Sequence, residues 1–392
     1  MTHGDVGVIA RSSESPAADR PLTIVAFTQV LATTGGDRWL YALQAGWLAR
    51  GHRVVHVHVA GGPRPDGPRP PDGVELVRAS GLGGRAWRHL PRVLVRMVRQ
   101  FRRADVVLLA PVGKEVPLGY AVARLLRRPV VVYSQGLAGR SLDVFESSPW
   151  RRRATAAAIR GATEVFCVSP ASARAAAELG VAPARTREVR TGLDLDAVRA
   201  RAGAPGPRSA DHVVACGVLS RHKGFDRLVR AIGTVRERGV PARLTIIGPP
   251  GDAHAELVDL IHDLGLDDAV ELVTQETDPV PLMAGAATLV HVPRYELVGL
   301  VLLEALAVGT PVISCRCDGD GPALVLDGGR YGELLPTGEA DELAHALERH
   351  LRNPAELQGR LDGVEQHIRA VFSVDAAVEA SLAGFRAAAR HR

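Results

Sequence analysis

The chain has 392 residues, 46% hydrophobic and 23% charged, which is ordinary globular usage and excludes wholesale disorder. Its 48 basic and 43 acidic residues leave a net charge of +5, and only two of the basic residues, Lys114 and Lys223, are lysines. The four cysteines, Cys167, Cys216, Cys315 and Cys317, form no CxxC pair, which excludes a disulfide-stapled secreted scaffold and fits a reducing compartment.

Residues 1–20 are polar and rich in Ser, Ala and Asp, and are expected to be a disordered leader. LTIVAF (22–27) is a β-rich run, followed by the glycine turn TTGGD (33–37) and a helical pattern ending at Gly51. RVVHVHVA (53–60) is the next strand, and the Pro/Gly-rich segment 61–73 is a loop. VELVRA, DVVLLA, PVVVYS and EVFCVS continue the strand series, with helices between most of them. Residues 201–210 are rich in Gly, Pro and Ala and read as a linker. The alternation then restarts with HVVACGV, RLTIIG, VELV, ATLVHV and PVISC. Short apolar strands alternating with helices specify parallel sheets covered on both faces. The expected fold is therefore α/β, two doubly wound Rossmann-like domains (21–200 and 211–372) facing a central cleft. A final helix is expected over 373–392.

The modest net charge conceals an asymmetry. Residues 1–200 carry 29 basic and 16 acidic side chains, whereas residues 201–392 carry 19 and 27. Two halves of opposite sign suggest two different partners. Within the basic half, Arg92, Arg96, Arg99 and Arg103 recur at helical spacing in segment 85–103. Leu94, Met97, Val98 and Phe101 lie towards another face. The apolar side is expected to pack on the sheet. The arginine stripe is free to meet an anionic membrane or an acidic acceptor. No aromatic interleaving accompanies it, so nucleic acid is not an expected partner. No run of about 18 uncharged apolar residues exists, so no transmembrane helix is expected. The expected location is cytoplasmic, with peripheral contact at the inner membrane face.

The most informative segment is PRYELVGLVLLEALAVGTPVIS (293–314), in which Glu296 and Glu304 stand in an E-x7-E spacing. If Glu304 lies on a helix beginning near Leu300, Glu296 sits in the loop before it. A helix N-terminus offers unsatisfied N–H groups and suits a phosphate. Carboxylates on either side of it can hold sugar and ribose hydroxyls.

With the flanking ELVGL and LEALAVGTPV, this segment resembles the retaining family 4 glycosyltransferases, which have the GT-B fold. The resemblance extends to TTGGDRWLYALQAGWLARGHRVVHV, to VLSRHKGFDRLVRAI, to RLTIIG and to the stretch after GPALVLDGG. It implies that Glu296 holds hydroxyls of the transferred sugar and that Glu304 holds the ribose diol. It implies that the N–H groups of Gly299 and Leu300 face the distal phosphate or sugar. Lys223 would neutralise the departing diphosphate, Gly35 and Gly36 would let the backbone approach the phosphates, and Gly248 would pass close to the base. The implied donor is a nucleotide diphosphate sugar. No metal is required, because Lys223 and the helix N-terminus supply positive charge. The last helix is expected to return to the N-terminal domain, and the acceptor is expected to be anionic or lipid-linked.

Three departures from the family pattern are visible. Val218 stands where the family usually has Arg, with Arg221 as a candidate substitute. Gln135 replaces a common His and, with Lys114 in the loop PVGKEVP, is a candidate acceptor contact. Leu297 replaces the first glycine of the family's E-G-F-G. These departures keep two alternatives open, a GT-B nucleotide-sugar 2-epimerase and a catalytically impaired nucleotide-sugar-binding partner. Asp318-Gly319-Asp320 is expected to be a solvated turn rather than a metal site.

Overall fold

A computed structural model of the chain describes residues 20–31, 35–61, 69–79, 90–110, 116–134, 148–204, 206–275 and 277–391. The first sheet has seven strands, β1 (Thr23–Leu31), β2 (Arg53–Gly61), β3 (Glu75–Arg78), β4 (Val106–Leu109), β5 (Val130–Tyr133), β6 (Glu164–Cys167) and β7 (Thr186–Glu188). They run in the order β3-β2-β1-β4-β5-β6-β7, all parallel. The second has six, β8 (His212–Cys216), β9 (Arg243–Ile247), β10 (Val270–Val273), β11 (Thr288–His291), β12 (Val312–Cys315) and β13 (Glu333–Leu335). Their order is β10-β9-β8-β11-β12-β13, also all parallel.

The central strands VVLL, VVVY, TLVH and VISC are buried along their whole length. β-branched side chains fit such a pleated surface when helices cover both faces. On one face of the first sheet lie α1 (Gly35–Ala49) and the last helix, whereas α2 (Leu90–Phe101), α3 (Val116–Leu125), α4 (Pro149–Gly161) and α5 (Pro170–Glu178) cover the other. The connecting helix α6 (Leu195–Ala202) is capped by the Asp194 side chain. In the second half follow α7 (Phe225–Glu237), α8 (His254–Asp263), α9 (Val280–Gly285), α10 (Leu300–Ala307), α11 (Gly321–Val325), α12 (Ala340–Arg352), α13 (Pro354–Gly359) and α14 (Val364–Val371). α6 packs on α9 and α10, and Arg208 ties the segment after it to the carbonyls of Ala284 and Val308.

The last helix, α15 (Val374–Arg390), lies against α1 and β6. Trp47 Nε1 donates to Ser381 Oγ at 2.8 Å, and its ring meets Phe385 edge-on at 5.1 Å. A Cβ on Gly46 would stand 2.3 Å from Val378, so the bare glycine permits this close helix contact.

In both sheets the strand order reverses in the middle, between β1 and β4 and between β8 and β11. Crevices outside the carboxyl ends of strands at such reversals are the usual ligand sites of open α/β sheets.

Candidate active site at the strand reversal of the second sheet

The loop after β8 is built by close backbone approach. A Cβ on Gly248, at the end of β9, would meet Gly217 O at 1.9 Å, so no other residue fits there. The chain then forms a 3₁₀ turn over Arg221–Lys223 and enters α7 through Gly224 in the left-handed region, φ 71°. A Cβ on Gly224 would meet Val292 O at 2.2 Å. This contact pins Lys223 over the end of β11. The two loops are also joined directly. Arg294 N donates to His222 O at 2.7 Å, and the Arg294 guanidinium grips Asp226 at 2.9 and 3.0 Å.

Glu296 stands in the loop after β11 and is braced from behind. Its N–H donates to Asp318 O at 2.9 Å, and its carbonyl accepts from Gly321 N at 3.0 Å. Gly319 has φ 93°, and a Cβ there would meet Glu296 O at 2.5 Å. The Asp-Gly-Asp turn is thus a scaffold for Glu296, and among the described residues no cluster of His, Cys, Asp and Glu suits a metal ion.

Lys223 Nζ donates to Glu296 Oε2 at 2.7 Å, and each side chain is about one-fifth exposed, 18% and 19%. Leu297 N donates to Oε1 of the same carboxylate at 3.2 Å. Beneath it, His291 Nε2 lies 3.3 Å from Oε2. Burial pushes the Glu296 carboxyl up, but the Lys223 ammonium and the His291 ring outweigh it and hold the group well below the usual carboxylate range. Burial also lowers His291, so its ring is neutral at pH 7.

Immediately after Glu296 the chain enters α10 through Gly299, whose φ of 88° is the left-handed conformation that glycine adopts without strain. Leu300 is the first helical residue. No acidic residue occupies the first turn, so its N–H groups keep a positive field next to Glu296 and Lys223.

One turn in, Glu304 is 6% exposed. Arg201 Nη1 of α6 donates to its Oε1 at 3.2 Å, and Arg38 of α1 approaches the same atom at 3.9 Å. Burial pushes the Glu304 carboxyl up, partly offset by Arg201 and Arg38. Asp278 holds the other side of the Arg201 guanidinium at 2.6 and 2.9 Å.

Six of the expected residues therefore meet at one strand reversal, namely Lys223, Gly248, Glu296, Gly299, Leu300 and Glu304. Arg221 does not join them. Its guanidinium turns outward to α8, where it pairs with Glu256 and lies 3.5 Å from Asp252, so two carboxylates claim the charge offered as a substitute at Val218. Gly35 and Gly36 open α1. Lys114 and Gln135 lie outside the described residues. Three side chains at this site were not singled out from the sequence. His291 was hidden in the apolar run ATLVHV, Arg201 sat in a stretch resembling a linker, and Arg38 stood two residues past the Gly35-Gly36 pair without a role of its own.

The family model for Glycosyl transferases group 1 matches residues 210–353, and that for Glycosyltransferase Family 4 matches residues 33–197. The chain belongs to the family 4 glycosyltransferases. The D-inositol 3-phosphate glycosyltransferase of Gordonia bronchialis is 32% identical to this family 4 chain over 228 residues, covering 53% of this chain and 48% of that protein. The matched region thus spans about half the length of such curated relatives. Among solved structures, Anabaena HepE in complex with UDP and glucose superposes with a TM-score of 0.73 at 20% identity, covering 92% of this chain and 98% of that one. Sucrose-phosphate synthase from Thermosynechococcus elongatus gives a TM-score of 0.73 at 21% identity, covering 93% and 98%. These likenesses, with the two parallel sheets, establish the GT-B fold.

Proposed function

We propose that this family 4 chain transfers a sugar from a nucleotide diphosphate sugar to an acceptor, with retention of anomeric configuration. The observation that supports this most is the placement of the Lys223 ammonium and the Glu296 carboxylate together at the N-terminus of α10. An ammonium beside a helix N-terminus suits a leaving diphosphate, and an ionised carboxylate next to it suits sugar hydroxyls. The solved neighbour holding UDP and glucose is in keeping with such a donor.

In the reaction, the acceptor oxygen bonds to C1 of the sugar as the C1–O bond to the diphosphate breaks on the same face. The acceptor proton passes to the departing phosphate oxygen. No protein nucleophile is then needed, and the residues act by positioning and by stabilising charge. Lys223 and the α10 N–H groups supply that charge, so the reaction as read here calls for no metal. Glu304 takes the ribose diol, which replaces Arg201 as its partner while Asp278 retains Arg201.

Glu304→Ala is accordingly expected to weaken nucleoside diphosphate binding by roughly 1.5–3 kcal/mol, the scale of a charge-assisted hydrogen bond. Isothermal calorimetry measures this, and unchanged affinity removes the ribose contact. A thermal-shift screen of nucleoside diphosphates identifies the base, because a ligand that binds only the folded state raises the melting temperature.

The acceptor side of the reading rests on the basic half. α2, α3 and α4 form one layer, buried inward through Val93, Met97, Phe101, Val122 and Ile159. These three helices contain no acidic residue. Outward they carry exposed Val95, Leu125 and Trp150 among Arg92, Arg99, Arg124 and Arg153. Basic residues near an anionic bilayer contribute about 1 kcal/mol each, and exposed apolar side chains add insertion. This favours an anionic or lipid-linked acceptor and peripheral membrane contact. Among the described residues no helix is long and apolar enough to cross a membrane.

The triple substitution Arg99→Glu, Arg124→Glu and Arg153→Glu is expected to lower sedimentation with phosphatidylglycerol vesicles more than about tenfold. Nucleotide affinity should stay unchanged. Equal sedimentation of both proteins would remove the membrane contact.

A further inference from the structure

The Lys223–Glu296 pair poses a chemical conflict. A single ammonium is bonded to Glu296 Oε2 at 2.7 Å and is also the cation that the diphosphate would attract. If Lys223 turns to phosphate, Glu296 loses its main countercharge in a mostly buried place. Only Leu297 N, on Oε1, would still donate to it, and a buried carboxylate so short of donors takes up a proton or moves. Either change would spoil its grip on the sugar.

The structure contains a second donor positioned for that moment. His291 ends β11 and is 2% exposed, and its Nε2 is 3.3 Å from the same Oε2. The contact is not aligned as a closed hydrogen bond, and Nε2 has no other partner among the described residues. A buried ring nitrogen left in that condition is unusual and needs a reason. An ionised carboxylate only accepts, so the nitrogen facing it carries the hydrogen. The sheet fixes the backbone that carries the ring. His291 pairs with Ser314 in β12, and the Ser314 hydroxyl donates to the His291 carbonyl. With the residue 2% exposed, the ring has little room to leave its place beneath Glu296 when Lys223 moves.

We infer that His291 is a positioning residue, a reserve donor that closes on Glu296 Oε2 when Lys223 turns to the diphosphate and keeps the carboxylate aimed at the sugar. The inference rests on the reading of Glu296 as the sugar contact. It also assigns a role to a side chain that no motif covers. Because His291 acts through Glu296, its influence is confined to the sugar. The nucleoside diphosphate alone should not sense it.

That separation supplies the test. Calorimetry compares UDP with UDP-glucose and GDP with GDP-mannose, using the pair that raises the wild-type melting temperature more. His291→Val removes the donor while keeping a residue that strands favour. It is expected to leave diphosphate affinity within about twofold and to lower affinity for the nucleotide sugar about tenfold, with turnover falling about 10- to 100-fold. His291→Gln, whose amide can place an N–H at the same reach, is expected to recover most of the loss. The His291→Val, Glu296→Gln double variant is expected to be no worse than Glu296→Gln alone, since the two side chains act as one unit.

An equal loss for diphosphate and nucleotide sugar would reduce His291 to a packing role and overturn the inference. So would wild-type behaviour of His291→Val, or additive losses in the double variant. If Glu296→Gln itself leaves sugar affinity unchanged, the reading of Glu296 fails first, and the inference fails with it for that separate reason.

Discussion

Replacing Lys223 by methionine is expected to lower turnover about 10²–10³-fold, the usual effect of losing one group that stabilises developing charge. Methionine keeps an unbranched apolar stem where the lysine stem lies 3.5–3.6 Å from the Cβ position of Gly217. Packing is therefore largely retained, and the loss reports charge. Lys223→Ala should lose turnover to a similar degree and lose more stability. Both variants also remove the main countercharge of Glu296, so its carboxyl is expected to titrate at higher pH than in the unaltered protein. Steady-state assays of kcat, with circular dichroism to confirm folding, read the effect. Near-normal turnover in Lys223→Met would remove Lys223 from the chemistry.

Glu296→Gln is expected to be the second most damaging single change. The amide preserves the shape and one acceptor oxygen but discards the charge. A charge-assisted hydrogen bond of roughly 1.5–3 kcal/mol corresponds to about 10- to 150-fold in rate or affinity. The same variant has a signature in stability. The folded carboxyl is held below its ordinary value, near 4.3 in an unfolded chain. Its contribution to folding is therefore complete above that value and is lost as pH falls towards the folded one. The melting temperature of the unaltered protein should exceed that of Glu296→Gln at pH 6, and the gap should narrow as pH drops from about 5 to 3. A gap independent of pH would show that Lys223 and His291 do not hold the carboxylate ionised.

Much of this site was legible from residue order. The apolar runs gave most of the strands because buried parallel strands need continuous β-branched side chains. E-x7-E became informative because a glycine and an apolar helix follow Glu296, which put one carboxylate in the loop before α10 and one on α10. What stayed hidden depends on the approach of segments distant in the chain. Arg201 is 103 residues from Glu304, and no local period connects them. His291 looks like one polar letter in a buried strand until the loop carrying Glu296 folds back above it. The Asp-Gly-Asp turn is exposed at Asp318 and half-exposed at Asp320, as its composition indicated, but its bracing of Glu296 emerges only from the fold. Arg221 stands near in sequence to the missing arginine at Val218, yet the 3₁₀ turn sends its guanidinium out to Glu256 on α8.

The basic face shows the same limit. The arginine spacing in 85–103 identified one helix, but α3 and α4 add their arginines, Leu125 and Trp150 only after the chain stacks them beside α2. The apolar side of α2 packs on the sheet, as its residue pattern indicated.

The most direct measurement is release of nucleoside diphosphate from a donor sugar with and without acceptor, followed by NMR of both sugar products. Glycosyl transfer predicts release that depends on acceptor, gives a product with the donor's anomeric configuration and collapses in Lys223→Met. Consumption of donor without acceptor and with inversion at C2 would instead show an epimerase. Donor binding with no release under any acceptor tested would contradict catalysis and leave a nucleotide-sugar-binding protein.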